Sequence, residues 1–237
     1  MATEPGTSNI EPTRNRSVGV TLPASVGGNE ASAAERLISA AGEIFAAKGQ
    51  HATVREICKA AGCSVAAINY HFGDKNQLYL TCVRTACERK QRLFPMPNVE
   101  EGSEPEALLR KFLRTIAQRM AAKSNVSWHN TLMLREVVSP SEGVAEFLSE
   151  AFRRDFAILL EIIGKLLGPE ADSEARRQEF AVQILARCMF LRTGQNLLKI
   201  LSIDQEMSSN PEQYADIVCD SMLHQFAFLA GQSSNSN

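Results

Sequence analysis

From residue 31 onward, apolar side chains recur at steps of three and four, with almost no alternation at a step of two. That period lines one face of an α-helix, so the chain is expected to be all-α. No proline falls between Pro23 and Pro95, which leaves room for several uninterrupted helices joined by glycine punctuation. Four are predicted. The first opens with the capping box Ser32-x-x-Glu35, carries Leu37, Ile38, Ala41, Ile44 and Phe45 on one stripe, and stops at Gly49. The second repeats the pattern with Thr53-x-x-Glu56, then Ile57, Ala60 and Ala61, and stops at Gly62 after barely two turns. Ser64 is expected to cap a third short helix reaching about Tyr70, and Gly73-Asp74 to start a fourth from Lys75 to about Leu93.

Two short helices around a glycine turn, behind a longer supporting helix, form the helix-turn-helix pattern. The charge supports that placement. Over residues 30 to 92, nine Lys/Arg face six Asp/Glu, whereas 93 to 237 hold fourteen against nineteen. Over the whole chain the two signs nearly cancel, 25 basic against 27 acidic, so no global field selects a polyanion, and a charged partner must meet a local patch.

The reading helix of such a motif must present small or hydrogen-bonding side chains outward. In the third helix Ile68 clearly wants the core, while Ser64, Val65, Ala66, Ala67, Asn69 and Tyr70 surround it. Ala66 and Ala67 suit a thymine methyl, Asn69 an adenine or a phosphate, and Tyr70 and His71 phosphate oxygens. The competing reading is a short Ala-rich helix that only packs, with His71 capping the next one.

The run Ala60-Ala61-Gly62-Cys63-Ser64-Val65-Ala66-Ala67-Ile68-Asn69-Tyr70-His71-Phe72-Gly73-Asp74-Lys75-Asn76-Gln77-Leu78-Tyr79 strongly resembles the DNA-binding signature of the tetracycline-repressor (TetR/AcrR) family of bacterial transcription regulators. With the preceding helices the resemblance covers about residues 33 to 80. It implies DNA contacts from Arg55 on the second helix, from Ser64, Val65, Ala66 and Ala67 at the start of the reading face, and from Asn69, Tyr70 and His71 after them. It also implies that Lys75 anchors a phosphate, where exposed helix N–H groups favour an anion. The family often has tyrosine where Asn69 stands and a non-aromatic residue at Tyr70, which leaves open which of the two makes the main backbone contact.

Residues 1 to 30, with Pro5, Pro12, Pro23, Arg14 and Arg16 among polar residues, read as a disordered arm, and 232–237 as a polar tail. Between them the chain is expected to divide into a DNA-binding domain over 31–93 and a regulatory and dimerisation domain over 94–231. The latter should hold helices near 105–122, 127–138, 142–167, 173–201 and 211–229, the last begun by Asn210 and Pro211. On that last helix Tyr214, Val218, Met222, Phe226 and Leu229 recur at near-four spacing and are expected to form a homodimer interface, as the resemblance also implies. Polar residues inside an apolar helical domain are where a small-molecule effector would be oriented. Trp128, Arg135, Glu136, Arg187, Arg192 and Gln195 are the candidates, and the Arg135-Glu136 pair is similar to one in an efflux and drug-response subgroup of the family. Each also has a plainer reading as a packing residue, a surface charge or an internal salt bridge.

Six cysteines occur without a CxxC pair and without a leader upstream, which suggests reduced, mostly buried thiols in a cytoplasmic protein. No apolar run approaches the roughly 18 residues of a membrane span. Four scattered histidines, with no His-Glu-x-x-His, no Gly-x-Ser-x-Gly and no phosphate-cradling loop, give no support for catalysis, a metal or a cofactor. The expected function is therefore that of a dimeric, effector-released regulator, most simply a repressor, on a palindromic DNA operator. The alternatives are an all-α adaptor or an enzyme with a relic helix-turn-helix.

Overall fold

A computed structural model of the chain describes residues 31–100, 102–121, 127–202 and 210–234. Its described elements are helices and connecting turns, as the period predicts: α1 Ala33–Lys48, a 3₁₀ turn Gly49–His51, α2 Val54–Ala61, α3 Val65–Phe72, α4 Lys75–Leu93, α5 Pro105–Ala121, α6 Ser127–Val138, α7 Val144–Ala171, α8 Glu174–Thr193, α9 Gln195–Ile200 and α10 Pro211–Ser234. The arm over 1–30 and the last residues, 235–237, lie outside the described residues.

Local grammar sets most boundaries. Both capping boxes form, with the Ser32 and Thr53 hydroxyls accepting from the Glu35 and Glu56 amides and each glutamate accepting from its cap residue's N–H. Gly62 closes α2 in the left-handed region at φ 61°, where a side chain would be strained. Ser64 takes the extended backbone of a cap, but its hydroxyl makes no capping bond; Asp74 caps α4 instead, accepting from the Gln77 amide at 2.8 Å. Two boundaries differ from expectation. Gly194 interrupts the long helix expected over 173–201, dividing it into α8 and α9. The helix reaching Gly168-Pro169 resumes for one turn beyond a kink, because Gly168 sits at φ 69° and proline can follow it but not continue the ladder behind it.

Two cores organise these helices. The first gathers Leu37, Phe45, Ile57, Ile68, Leu78 and Tyr79 from α1 to α4, and also Leu132 and Met133 of α6 and Val144 and Leu148 of α7. The second is built from α5, the later part of α7, α8 and α10, including Leu109, Phe112, Ile162, Phe180, Ile184 and Met222. Residue 94 therefore does not divide the packing cleanly: α6 folds back onto α1 and α4, and α7 begins in one core and ends in the other.

The stripe expected to pair two protomers is filled from within. Val218, Met222 and Phe226 are buried against a single chain's own core, with Tyr214 and Leu229 packed at its edge. The Phe226 ring lies 4.6 Å from that of Phe180 on α8. As a direct interface the set is corrected at Val218, Met222 and Phe226, because side chains already enclosed by α5 and α8 have no surface to offer a partner, while Tyr214 and Leu229 keep part of theirs. Among the described residues, the large apolar side chains that α10 exposes are Ile217 and Phe228, at 48% and 65%, and α8 exposes Val182 and Phe190.

Candidate nucleic-acid interface and effector cavity

α3 is anchored at one point. Ile68 is 1% exposed and inserts between α1, α2 and α4, and Ala67 and Phe72 pack beside it. The rest of the helix turns outward: Ser64, Val65, Ala66, Asn69, Tyr70 and His71 are exposed, Tyr70 at 85%. Ala67 is less available than its neighbours, because it is half-buried and packs against the same core as Ile68. Positions 65, 66, 69 and 70 fall on one side of a 3.6-residue helix, so the remaining candidates form a single surface. Arg55 stands exposed on α2.

Lys75 is placed differently from expectation. Its ammonium donates to the Gln50 carbonyl at 2.7 Å and the Ala52 carbonyl at 3.2 Å. It ties the start of α4 to the turn ahead of α2, a tether that the expected phosphate contact did not include. A similar economy governs Glu56, which the Lys48 ammonium and the Thr53 cap hold well below the usual carboxylate range, so this acid stays ionised in the first turn of α2.

The effector candidates do not converge. Arg135 donates to the Ala47 carbonyl at 3.2 Å, and its guanidinium lies where a β-carbon on Gly49 would stand. It satisfies the last turn of α1, where a cation also meets the negative end of the helix dipole. Glu136 is fully buried and accepts from the Tyr79 hydroxyl, the Ser141 amide at 2.7 Å and the Ser141 hydroxyl at 2.9 Å. Trp128 stacks on His129 at 3.6 Å between ring centroids and lies against Gly42 of α1. Arg187 donates to the Ser221 hydroxyl at 2.9 Å, and its carbonyl accepts from the Tyr214 hydroxyl, joining α8 to α10. These four are corrected to seam residues, because each already has its partner within the fold. The side chains of Arg192 and Gln195 lie outside the described residues.

A cavity of about 520 Å³ opens elsewhere, among α4, α5, α6, α7 and α8. Its wall is mostly apolar, with Phe112, Phe152 and Phe156 among its largest contributors, and carries Lys90, Asn130, Arg119, Arg153 and Asp155. Arg119 is 7% exposed, donates through Nη1 to Asp155 Oδ2 at 2.6 Å and through Nε to the Phe94 carbonyl at 2.8 Å. The signal for this site was in the sequence: α5 places Phe112, Ile116 and Met120 on one stripe with Arg119 inside it. A guanidinium on an apolar stripe must be paired or aimed at a ligand. Its partner, 36 residues away on α7, was not legible.

Among the described residues no group of His, Cys, Asp and Glu has the arrangement of a metal site, and no helix is long and apolar enough to cross a membrane. All six cysteines are free thiols, and five of them are buried.

Comparison with known proteins gives two family matches. Residues 37–82 match the N-terminal domain of bacterial regulatory proteins of the tetR family, and residues 105–231, more than half of the chain, match the C-terminal domain of the HTH-type transcriptional dual regulator CecR. The chain is similar to the dual regulator CecR of Shigella flexneri, 33% identical over 120 residues, a match that covers 46% of this chain and about half, 53%, of the relative's length. The fold is shared with a transcriptional regulator from Rhodococcus sp. Rha1, at 23% identity and TM-score 0.56 over 82% of this chain and 97% of that one. It is also shared with the TetR family regulator PfmR from Thermus thermophilus, at 20% identity and TM-score 0.57 over 80% and 94%.

Proposed function

This chain belongs to the TetR family of bacterial transcription regulators, with a C-terminal domain of the CecR type, and from that premise we propose that it is a dimeric repressor released from a palindromic operator by a small-molecule effector. The observation that carries the DNA side is the outward surface of α3, where Val65, Ala66, Asn69 and Tyr70 face solvent while Ile68, with Ala67 and Phe72 beside it, fixes the helix to the core. Such a helix has its reading side chains free and its orientation set by the body of the protein, which is what major-groove docking needs.

Two reading heads are required for half-sites about one DNA turn apart. The exposed residues Val182 and Phe190 of α8 and Ile217 and Phe228 of α10 supply the apolar surface for a two-fold four-helix contact. Effector control is assigned to the cavity among α4 to α8, whose volume suits a drug-sized molecule and whose wall includes α4, the helix that also packs on the reading head. A ligand that prefers one setting of α4 shifts the spacing of the heads without touching a DNA contact.

Genome-wide mapping of bound sites tests the proposal. A shared palindrome upstream of a small set of genes, bound in vitro at near-physiological salt, is the expected result. Binding without sequence preference, lost at the same salt from every duplex, would instead leave the helix-turn-helix without a regulatory target.

A further inference from the structure

The reading of the cavity as an effector site leaves its ligand unspecified, and the wall chemistry narrows it. The charged lining residues are Lys90, Arg119 and Arg153 against the single carboxylate of Asp155. Asp155 is already paired with Arg119, so its carboxylate is engaged, and the two arginines, Arg119 and Arg153, outnumber it on the wall. The rest of the wall, including Met120, Leu185 and Met189, is apolar, and in such surroundings a charge acts over a longer reach than in water.

Arg119 has a second property. Its Nε holds the carbonyl of Phe94, the residue that ends α4, while Nη1 holds Asp155 on α7. One guanidinium therefore faces the cavity and clasps the end of the helix whose other end is fixed by Lys75 to the turn ahead of α2. An anion that competes with Asp155 for this fork pulls on the clasp. We propose that the cavity takes an apolar molecule bearing one anionic group, and that Arg119 reads that group and passes its presence to α4. This rests on the effector reading of the cavity given above.

A matched pair of fluorescent probes separates the two. 1-Anilinonaphthalene-8-sulfonate and N-phenyl-1-naphthylamine share the same ring system and differ by the sulfonate. Titrated into the full chain at moderate salt, the sulfonate is expected to bind at least about tenfold more tightly than the neutral probe, since a charge-assisted bond to a buried guanidinium carries this order of discrimination. Asp155→Asn, which removes the competing carboxylate, should widen that ratio. The double variant Arg119→Gln/Asp155→Asn removes both charges together and leaves no buried ion unpaired. It should remove most of the sulfonate's advantage while the neutral probe binds as before. Ile116→Trp fills the cavity from α5 and should abolish both; Val137→Trp at the exposed rim serves if that variant loses its cooperative melt.

Equal affinities in the parent would overturn the anionic assignment and leave the cavity as an effector site for a neutral molecule, and a full sulfonate advantage that survives the double variant would overturn Arg119 as the group that reads the anion. A parent that takes neither probe, or probes that bind undiminished after both filling substitutions, would remove the cavity reading itself.

Discussion

The Tyr79 hydroxyl of α4 donates to the Glu136 carboxylate of α6, with both residues fully buried and 57 positions apart in the chain. Burial first, and then this bond, push the Tyr79 phenol above its ordinary range, so it remains a donor at every physiological pH. The pair sits where α6, which lines the cavity, meets α4, which packs on α3.

Tyr79→Phe removes the phenol and leaves Glu136 with the two Ser141 donors alone. A buried carboxylate that loses one of its donors costs about 1–3 kcal/mol. Urea denaturation should show a loss of that size with an unchanged slope. A variant as stable as the parent would mean that Ser141 suffices.

His129 provides a pH dependence. It is 4% exposed, its Nδ1 has no partner among the described residues, and burial, with Arg89 and Lys90 nearby, lowers its pKa from 6.5 to about 4. The unfolded chain therefore takes up this proton first as pH falls. Stability is full above about pH 6.5 and declines towards pH 4, by up to about 3 kcal/mol for a shift of this size. Thermal melts across that window should show the decline, and His129→Phe should flatten it; a parallel decline in the variant would assign it to the carboxylates.

Gly42 has no tolerance for a side chain. A β-carbon there would lie 2.6 Å from the Trp128 ring, and an indole flanked by His129 cannot yield cheaply. Gly42→Ala should cost about 1–3 kcal/mol through overpacking, despite the better helix propensity of alanine. Trp128, the only tryptophan in the chain, should report it as a shifted emission maximum. An alanine variant of parental stability would show that α6 can slide on α1.

Arg55 and Lys75 should separate on DNA. If Arg55 meets a phosphate, Arg55→Ala lowers the slope of log K against log salt on a random duplex by about 0.9. Lys75→Ala loses the tether to the Gln50 and Ala52 carbonyls, so it should lower the melting temperature and leave the slope nearly unchanged. A full unit of slope lost at Lys75 with unchanged melting would restore it as a phosphate contact.

Glutamate at Ile217 and at Phe228 should give a folded monomer in sedimentation and abolish operator binding. Met222→Glu, by contrast, places a charge inside the protomer's own core and should cost several kcal/mol, enough to unfold the C-terminal half. A dimer that persists with glutamate at both surface positions would move the interface elsewhere.

What was legible in the sequence is local. The capping boxes at Ser32 and Thr53, the stop at Gly62, and the inward Ile68 among outward small residues are decided within a few positions along the chain. Hydrogen bonds and side-chain contacts at three and four residues determine them, and the helix-turn-helix and its family signature are read from the same short range. The partner of an apolar or charged face is settled by residues far away. Met222 looked like one edge of a dimer seam until α5 and α8 enclosed it, and Arg135 and Glu136 looked like ligand groups until the end of α1 and the Tyr79 hydroxyl took them. Arg119 acquired its cavity only when α7 brought Asp155 to it. A stripe of side chains encodes that it must be covered, because exposed apolar area and unpaired charge are costly. Which surface covers it depends on the packing of all the helices at once, and only the tertiary structure decided that.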